Sequence, residues 1–231
     1  MGSMGQITTV LLDVGGILLL PTASAIRAAL AHAGIEPTDE QLHRAHYAAT
    51  AIMDASGGHD YTRYIRALPD SLGVPAEFAE KVQAELAAYL GGEPWLRRAP
   101  QAREGLQRML DAGFRVGIVS NSVGTVDQML RTAGVCQVGA GELIPVEVII
   151  DSGVVGVRKP DPAIFRFALD HMGVTAAETA YLGDTARADV DGSRLAGLRP
   201  IHFDPYGDCP DPVDDHEHLQ RLDRLPELLA G

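Results

Sequence analysis

Five short apolar runs punctuate this chain: Ile7 to Leu12, Arg115 to Val119, Val146 to Ile150, Thr179 to Leu182 and Arg199 to Phe203. They are rich in β-branched residues and too short for helices, which fits strands buried on both faces. Between them lie segments of helical period. Leu106, Met109 and Leu110 recur at helical spacing in Ala102 to Ala112, after Pro100 and before Gly113. Val126, Met129, Leu130 and Ala133 mark a helix that stops at Gly134. Asp161 fits the cap of a third helix with Pro162 at its first position. Ile164, Phe165, Ala168, Leu169 and Met172 form its apolar face, and Gly173 ends it. Strands alternating with helices of this length predict an α/β domain: a parallel sheet with helices on both faces.

Residues 20 to 97 break the rhythm. Ala25 to Ala33, Gln41 to Ala55, Tyr61 to Leu68 and Glu77 to Leu90 read as helices, and no strand is evident among them. The predicted organisation is a discontinuous core of residues 1–19 and 98–231 with a helical insertion at 20–97. The chain's 231 residues suffice for both.

The net charge of −12 argues against nucleic-acid binding, which calls for a basic face. No apolar stretch reaches the 18 residues of a membrane span. Met1-Gly2-Ser3 before Met4 reads as an expression scar, not a signal. The two cysteines, Cys136 and Cys209, lie far apart and match no metal-binding spacing, so a reducing, cytoplasmic location is expected. Oligomeric state stays open, a homodimer included.

The chemistry-bearing residues sit at the ends of the strand runs. Asp13 precedes Val14-Gly15-Gly16. Ser120-Asn121 follows the second run, and Gly183-Asp184 follows the fourth, with Asp189 five residues on. Lys159 stands in Arg158-Lys159-Pro160-Asp161-Pro162. Ligands of open parallel sheets bind at the carboxyl ends of strands, so Asp13, Ser120 and Asp184 should converge. A carboxylate is a competent nucleophile toward phosphorus. A phosphate dianion repels it, so a cation belongs between them, and magnesium takes carboxylate, water and phosphate oxygens. Asp13 and Asp184 would hold Mg2+, with Asp189 orienting its waters or joining them. Ser120 would donate to a phosphate oxygen, and Lys159 would neutralise developing charge and hold Asp13. Gly15 and Gly16 would let backbone N–H groups approach the phosphate. Taken singly, each residue has a plainer reading: Asp13 as a turn, Ser120 and Asp184 as helix caps, Lys159 as a surface lysine. Their conjunction, in this order, carries the argument.

The four motifs together resemble the haloacid dehalogenase-like hydrolases, most of which are magnesium-dependent phosphatases. The resemblance implies a Rossmann-like core with a mobile helical cap. It places Asp13 as nucleophile, the Gly15 carbonyl with Asp13, Asp184 and Asp189 at the metal, and Gly15, Gly16, Ser120, Asn121 and Lys159 around the phosphate. A small phosphorylated molecule is the implied substrate.

One departure matters. The family's phosphatases usually carry a second aspartate two residues after the nucleophile, as acid and then base; here that place is Gly15. General acid–base help is worth roughly 10²–10⁴-fold. Three explanations stand: another group such as Asp54, His59 or Asp60 substitutes; the substrate has a good leaving group; or the fold serves binding. The metal-independent 2-haloacid dehalogenase branch is a further alternative. It attacks carbon, typically has tyrosine at the Gly15 place, and lacks the aspartate found here as Asp184.

Other groups read more plainly. His43 and His46 fit a solvated helix face. His216 and His218, among Asp208, Asp211, Asp214 and Asp215, could bind a metal adventitiously but read first as part of a solvated acidic loop. Tyr47, Tyr61, Tyr64 and Trp95 suit helix packing, with a substrate face of the cap as the alternative for some of them, and Arg63, Arg66, Arg97 and Arg98 suit exposed positions, with an anionic substrate tail as the alternative partner.

Overall fold

The computed structural model describes residues 6–56, 60–90, 95–209 and 216–230. The chain divides into two compact units, Met1–Leu19 with Arg98–Gly231, and Leu20–Arg97.

The first unit is built on six parallel strands: β1 (Thr9–Leu12), β2 (Arg115–Ser120), β3 (Val148–Asp151), β4 (Thr179–Gly183), β5 (Arg199–Phe203) and β6 (Glu217–Leu219). Their spatial order is β3-β2-β1-β4-β5-β6, the doubly wound order of a Rossmann-like sheet. Leu11 lies beside Gly117 and Tyr181 in register, so these residues share a sheet face. Strand alternation adds Val119 to it, and the helix Ala163–Met172 covers that face with Ile164, Phe165, Ala168 and Met172. Val10, Leu12, Val116, Ile118, Ala180 and Leu182 point to the other face and are equally buried.

Three expectations change here. The predicted strand Val146–Ile150 is broken at Glu147. Val146 ends a separate short strand, Ile144–Val146, paired with Cys136–Val138. Glu147 is exposed, and its carboxylate pairs with Arg115. The third helix starts at Ala163, one residue later than Pro162, although Asp161 Oδ1 still accepts the Ala163 N–H at 2.9 Å. Glu217–Leu219, expected in a solvated acidic loop, is the edge strand β6. Of that loop, residues 210–215 lie outside the described residues.

The second unit holds α1 (Ala23–Leu30), α2 (Asp39–Ala55), α3 (Tyr61–Ser71) and α4 (Ala76–Leu90). A capping box starts α2: Thr38 Oγ1 accepts the Gln41 N–H, and Gln41 Oε1 accepts the Thr38 N–H. Leu30, Leu42, Ala49, Tyr64, Leu68, Val82 and Leu86 form its core. His46 does not sit on a solvated face. It is buried, with Nδ1 2.9 Å from the Tyr64 hydroxyl and its ring edge-on to Trp95. Burial, with His43 and Arg97 nearby, pushes its pKa down to about 3. Among the described residues no helix is long and apolar enough to cross a membrane.

Candidate active site

The strand order reverses between β1 and β4, which opens a crevice beyond their carboxyl ends. Asp13 follows β1 directly and Asp184 follows β4 directly. The Asp13 N–H donates to the Leu182 carbonyl at 2.9 Å, extending the ladder one residue beyond β1. Two glycines allow the crowding. Gly16 has φ 71°, and a Cβ there would lie 2.2 Å from Asp184 Oδ2. A Cβ on Gly183 would lie 2.2 Å from Asp189 Cγ.

Asp189 belongs to a wide π-helical turn, Ala186–Asp191, in which the Val190 N–H reaches back to the Thr185 carbonyl. That turn brings its carboxylate back over the end of β4. One ligand oxygen each from Asp13, Asp184 and Asp189 lies within 4.8 Å of the others.

Lys159 enters the same cluster and is 2% exposed. Its Nζ lies 2.6 Å from Asp189 Oδ1, 2.7 Å from the Tyr181 hydroxyl and 2.9 Å from Asp13 Oδ1. The Asp13 contact is an ion pair, not an aligned hydrogen bond. Burial disfavours the Lys159 charge, but Asp13 and Asp189 outweigh it and raise its pKa. Burial likewise opposes the Asp189 charge; Lys159 and the two Thr185 donors overcome it and hold that carboxyl below its ordinary value. For Asp13 burial wins, helped by the Asp189 charge, and its pKa is raised. Asp189 is thus the permanent counter-ion of Lys159, and Asp13 is the carboxylate with unfavourable charge. Three carboxylates face one buried ammonium, and this surplus of negative charge suits a cation.

Asp189 has Oδ1 on Lys159 and Oδ2 on the Thr185 N–H and hydroxyl, so it also anchors the lysine. Asn121, expected at the phosphate, grips Lys159 instead: its amide donates to the Lys159 carbonyl at 3.0 Å, and its Oδ1 accepts the Lys159 N–H at 2.8 Å. Ser120 is the buried last residue of β2, at the same sheet end. Gly15 bridges to Leu19, while the left-handed angle of the pair falls on Gly16.

Tyr181 is the residue that motif reading passed over. Its hydroxyl accepts from Lys159 and lies 2.9 Å from the Val119 carbonyl and 3.1 Å from Asp189 Oδ1. The available signal was a tyrosine hydroxyl in the middle of a fully buried strand.

Fold and site together define an α/β hydrolase with a strand-end carboxylate pair and a buried lysine. The chain belongs to the haloacid dehalogenase-like hydrolases, whose family model matches residues 7–197. Phosphoserine phosphatase from Thermus thermophilus is 32% identical over 142 residues, 55% of this chain and 55% of that protein. (S)-2-Haloacid dehalogenase 4A from Burkholderia cepacia is 30% identical over 128 residues, 55% of this chain and 48% of that one. The matches therefore span about half the length of these relatives. Among solved structures, the HAD-hydrolase YfnB from Bacillus subtilis bound to magnesium has a TM-score of 0.62 at 21% identity. That comparison covers 97% of this chain and 99% of that one.

Proposed function

We propose that the chain is a magnesium-dependent phosphatase of small phosphomonoesters, acting through an aspartyl-phosphate on Asp13. The observation that carries this reading is the convergence of Asp13, Asp184 and Asp189 within 4.8 Å beside the buried Lys159. Attack on a haloalkyl carbon needs no metal and gives Asp184 no task. The donor set is all oxygen, which fits a hard divalent cation. Asp13 and Asp184 would hold it, with the Gly15 carbonyl as the third protein oxygen. Bound there, magnesium would neutralise charge between a phosphate dianion and the carboxylate.

The chain's own residues do the rest. An Asp13 oxygen attacks phosphorus as the bond to the leaving oxygen breaks; that oxygen leaves as an oxyanion and takes its proton from solvent water. Water then attacks the phosphoaspartate, releasing inorganic phosphate and restoring Asp13. Lys159 holds Asp13 by charge and stabilises the transferring group. Asp189, Tyr181 and Asn121 fix Lys159.

No acid stands at Gly15. Of the groups considered as substitutes, Asp54 is buried within the helical unit. Asp60 caps α3, and its Thr62 hydrogen bonds hold its carboxyl below the ordinary range, which suits an acceptor, not a proton donor. His59 lies outside the described residues. Among the described candidates neither is placed as an acid, and the reading favours substrates whose leaving oxygen departs unaided, such as sugar 1-phosphates and acyl phosphates. The test is a panel of phosphate esters with magnesium and with chelator, beside a 2-haloacid. Metal-dependent phosphate release supports the reading; metal-independent halide release with no phosphate release overturns it.

A further inference from the structure

A second group of ligating side chains lies in the same unit, outside the phosphate chemistry. His202, Cys209, His216 and His218 each offer a ligand atom, all within 4.8 Å of one another. Their separations in sequence match no familiar metal motif; the fold assembles them. His202 on β5 and His218 on β6 are register partners on adjacent parallel strands. Cys209 and His216 lie in the connection between those strands.

The orientations are those of ligands. His216 Nε2 lies 3.4 Å from His202 Nδ1 and 3.8 Å from Cys209 Sγ. Ideal tetrahedral zinc, with bonds of roughly 2.05 Å to nitrogen and 2.3 Å to sulfur, separates two nitrogens by roughly 3.3 Å and nitrogen from sulfur by roughly 3.6 Å. The observed spacings are within a few tenths of an ångström of both.

The far side of two rings is also in place. His202 Nε2 faces the Asp184 carbonyl at 3.3 Å, and His218 Nδ1 faces Asp204 Oδ2 at 3.3 Å. A ligating imidazole ordinarily donates its other N–H to a carbonyl or carboxylate, which fixes the tautomer. Asp204 is itself buried and accepts the N–H groups of Gly207, Asp208 and Cys209, so one carboxylate positions both Cys209 and His218.

We propose that His202 Nδ1, Cys209 Sγ, His216 Nε2 and His218 Nε2 form a tetrahedral site of one cysteine and three histidines for zinc or a similar transition metal, distinct from the carboxylate site at Asp13. One sulfur and three nitrogens select a borderline ion over magnesium. Four protein ligands leave no open position, so the site is structural: it ties the β5–β6 connection to the sheet beside Asp184.

The test uses the full chain, stripped with chelator and titrated with Co2+ in excess magnesium, which occupies oxygen-only sites. The expected result is one equivalent of cobalt showing a thiolate charge-transfer band and intense visible bands of a tetrahedral ion, both lost on adding Zn2+. Cys209→Ser should remove the charge-transfer band, and Cys136→Ser should leave it. Asp204→Asn should weaken zinc roughly 10- to 100-fold. X-ray absorption on the zinc-loaded unmodified protein should show one sulfur and three nitrogens, a readout that does not depend on any variant folding. A six-coordinate oxygen-type cobalt spectrum, or a thiolate band that survives Cys209→Ser, would overturn the proposal.

Discussion

Lys159 Nζ stands 2.9 Å from Asp13 Oδ1, with both side chains buried, and yet the two are not equal partners. Asp189 holds the lysine more closely, at 2.6 Å, and is the carboxylate whose ionised form the fold favours. Asp13 is left as a buried charge that the protein alone does not fully compensate.

Replacing Asp13 by Asn should therefore separate activity from stability. Turnover is lost, because an amide is no nucleophile. A raised folded-state pKa means that Asp13's contribution is full below the unfolded carboxylate value and is lost as pH rises through the folded value. The amide has no such titration. In chelator at neutral pH, Asp13→Asn should therefore melt higher than wild type. Magnesium should raise the wild-type melting temperature more than that of the variant. Melting curves with and without magnesium check this; a lower melting temperature for Asp13→Asn in chelator would contradict the charge assignment.

Lys159→Met should be severe, because it leaves Asp13 and Asp189 facing each other without the ammonium. Breaking a buried pair in this way costs about 3–5 kcal/mol. The depressed pKa of Asp189 gives a contribution that is present above the unfolded carboxylate value and lost as pH falls through the folded one. Removing Lys159 removes that contribution, so the gap between wild type and variant should narrow as the medium is acidified below pH ~4. Denaturant titrations across acid pH measure it, and a constant gap would count against the network described here.

Gly16→Ala tests the approach of Asp184. The left-handed backbone angle costs a non-glycine residue about 1–2 kcal/mol, and the new Cβ would overlap Asp184 Oδ2. Magnesium activation should shift to higher concentration, with the helical unit's core untouched. Calorimetric magnesium titration reads the shift directly, and an unchanged affinity would remove Asp184 from the metal.

Gly15 makes the leaving group decisive. Rates should rise steeply as leaving-group pKa falls, and good substrates should give a burst of alcohol release if the phosphoaspartate accumulates. Gly15→Asp should help alkyl phosphates most, since the left-handed angle falls on Gly16 and not on Gly15. A flat leaving-group series under conditions where chemistry limits would show that another residue already serves as the acid.

Of the two readings open to Tyr64, helix packing and a substrate-facing ring, the structure shows packing: it is fully buried against His46 and Trp95. Tyr64→Ala would thus be a packing lesion of about 3–5 kcal/mol, and no probe of specificity.

By itself the sequence determined the strand–helix alternation, the position of the insertion and the strand-end location of Asp13, Ser120 and Asp184. Apolar period, glycine stops and chain order are local properties, and they are legible without coordinates. Tertiary structure alone decided which polar atoms meet. Asn121 turned toward the Lys159 backbone, Tyr181 joined the lysine through a hydroxyl buried inside a strand, and Asp189 became its anchor through a π-helical turn. His202 and His218 met because β5 and β6 pair in register, with Cys209, held by Asp204, and His216 beside them. Such contacts depend on register, on the direction of a turn and on where a missing Cβ permits close approach, and none of these is written in the spacing of residues along the chain.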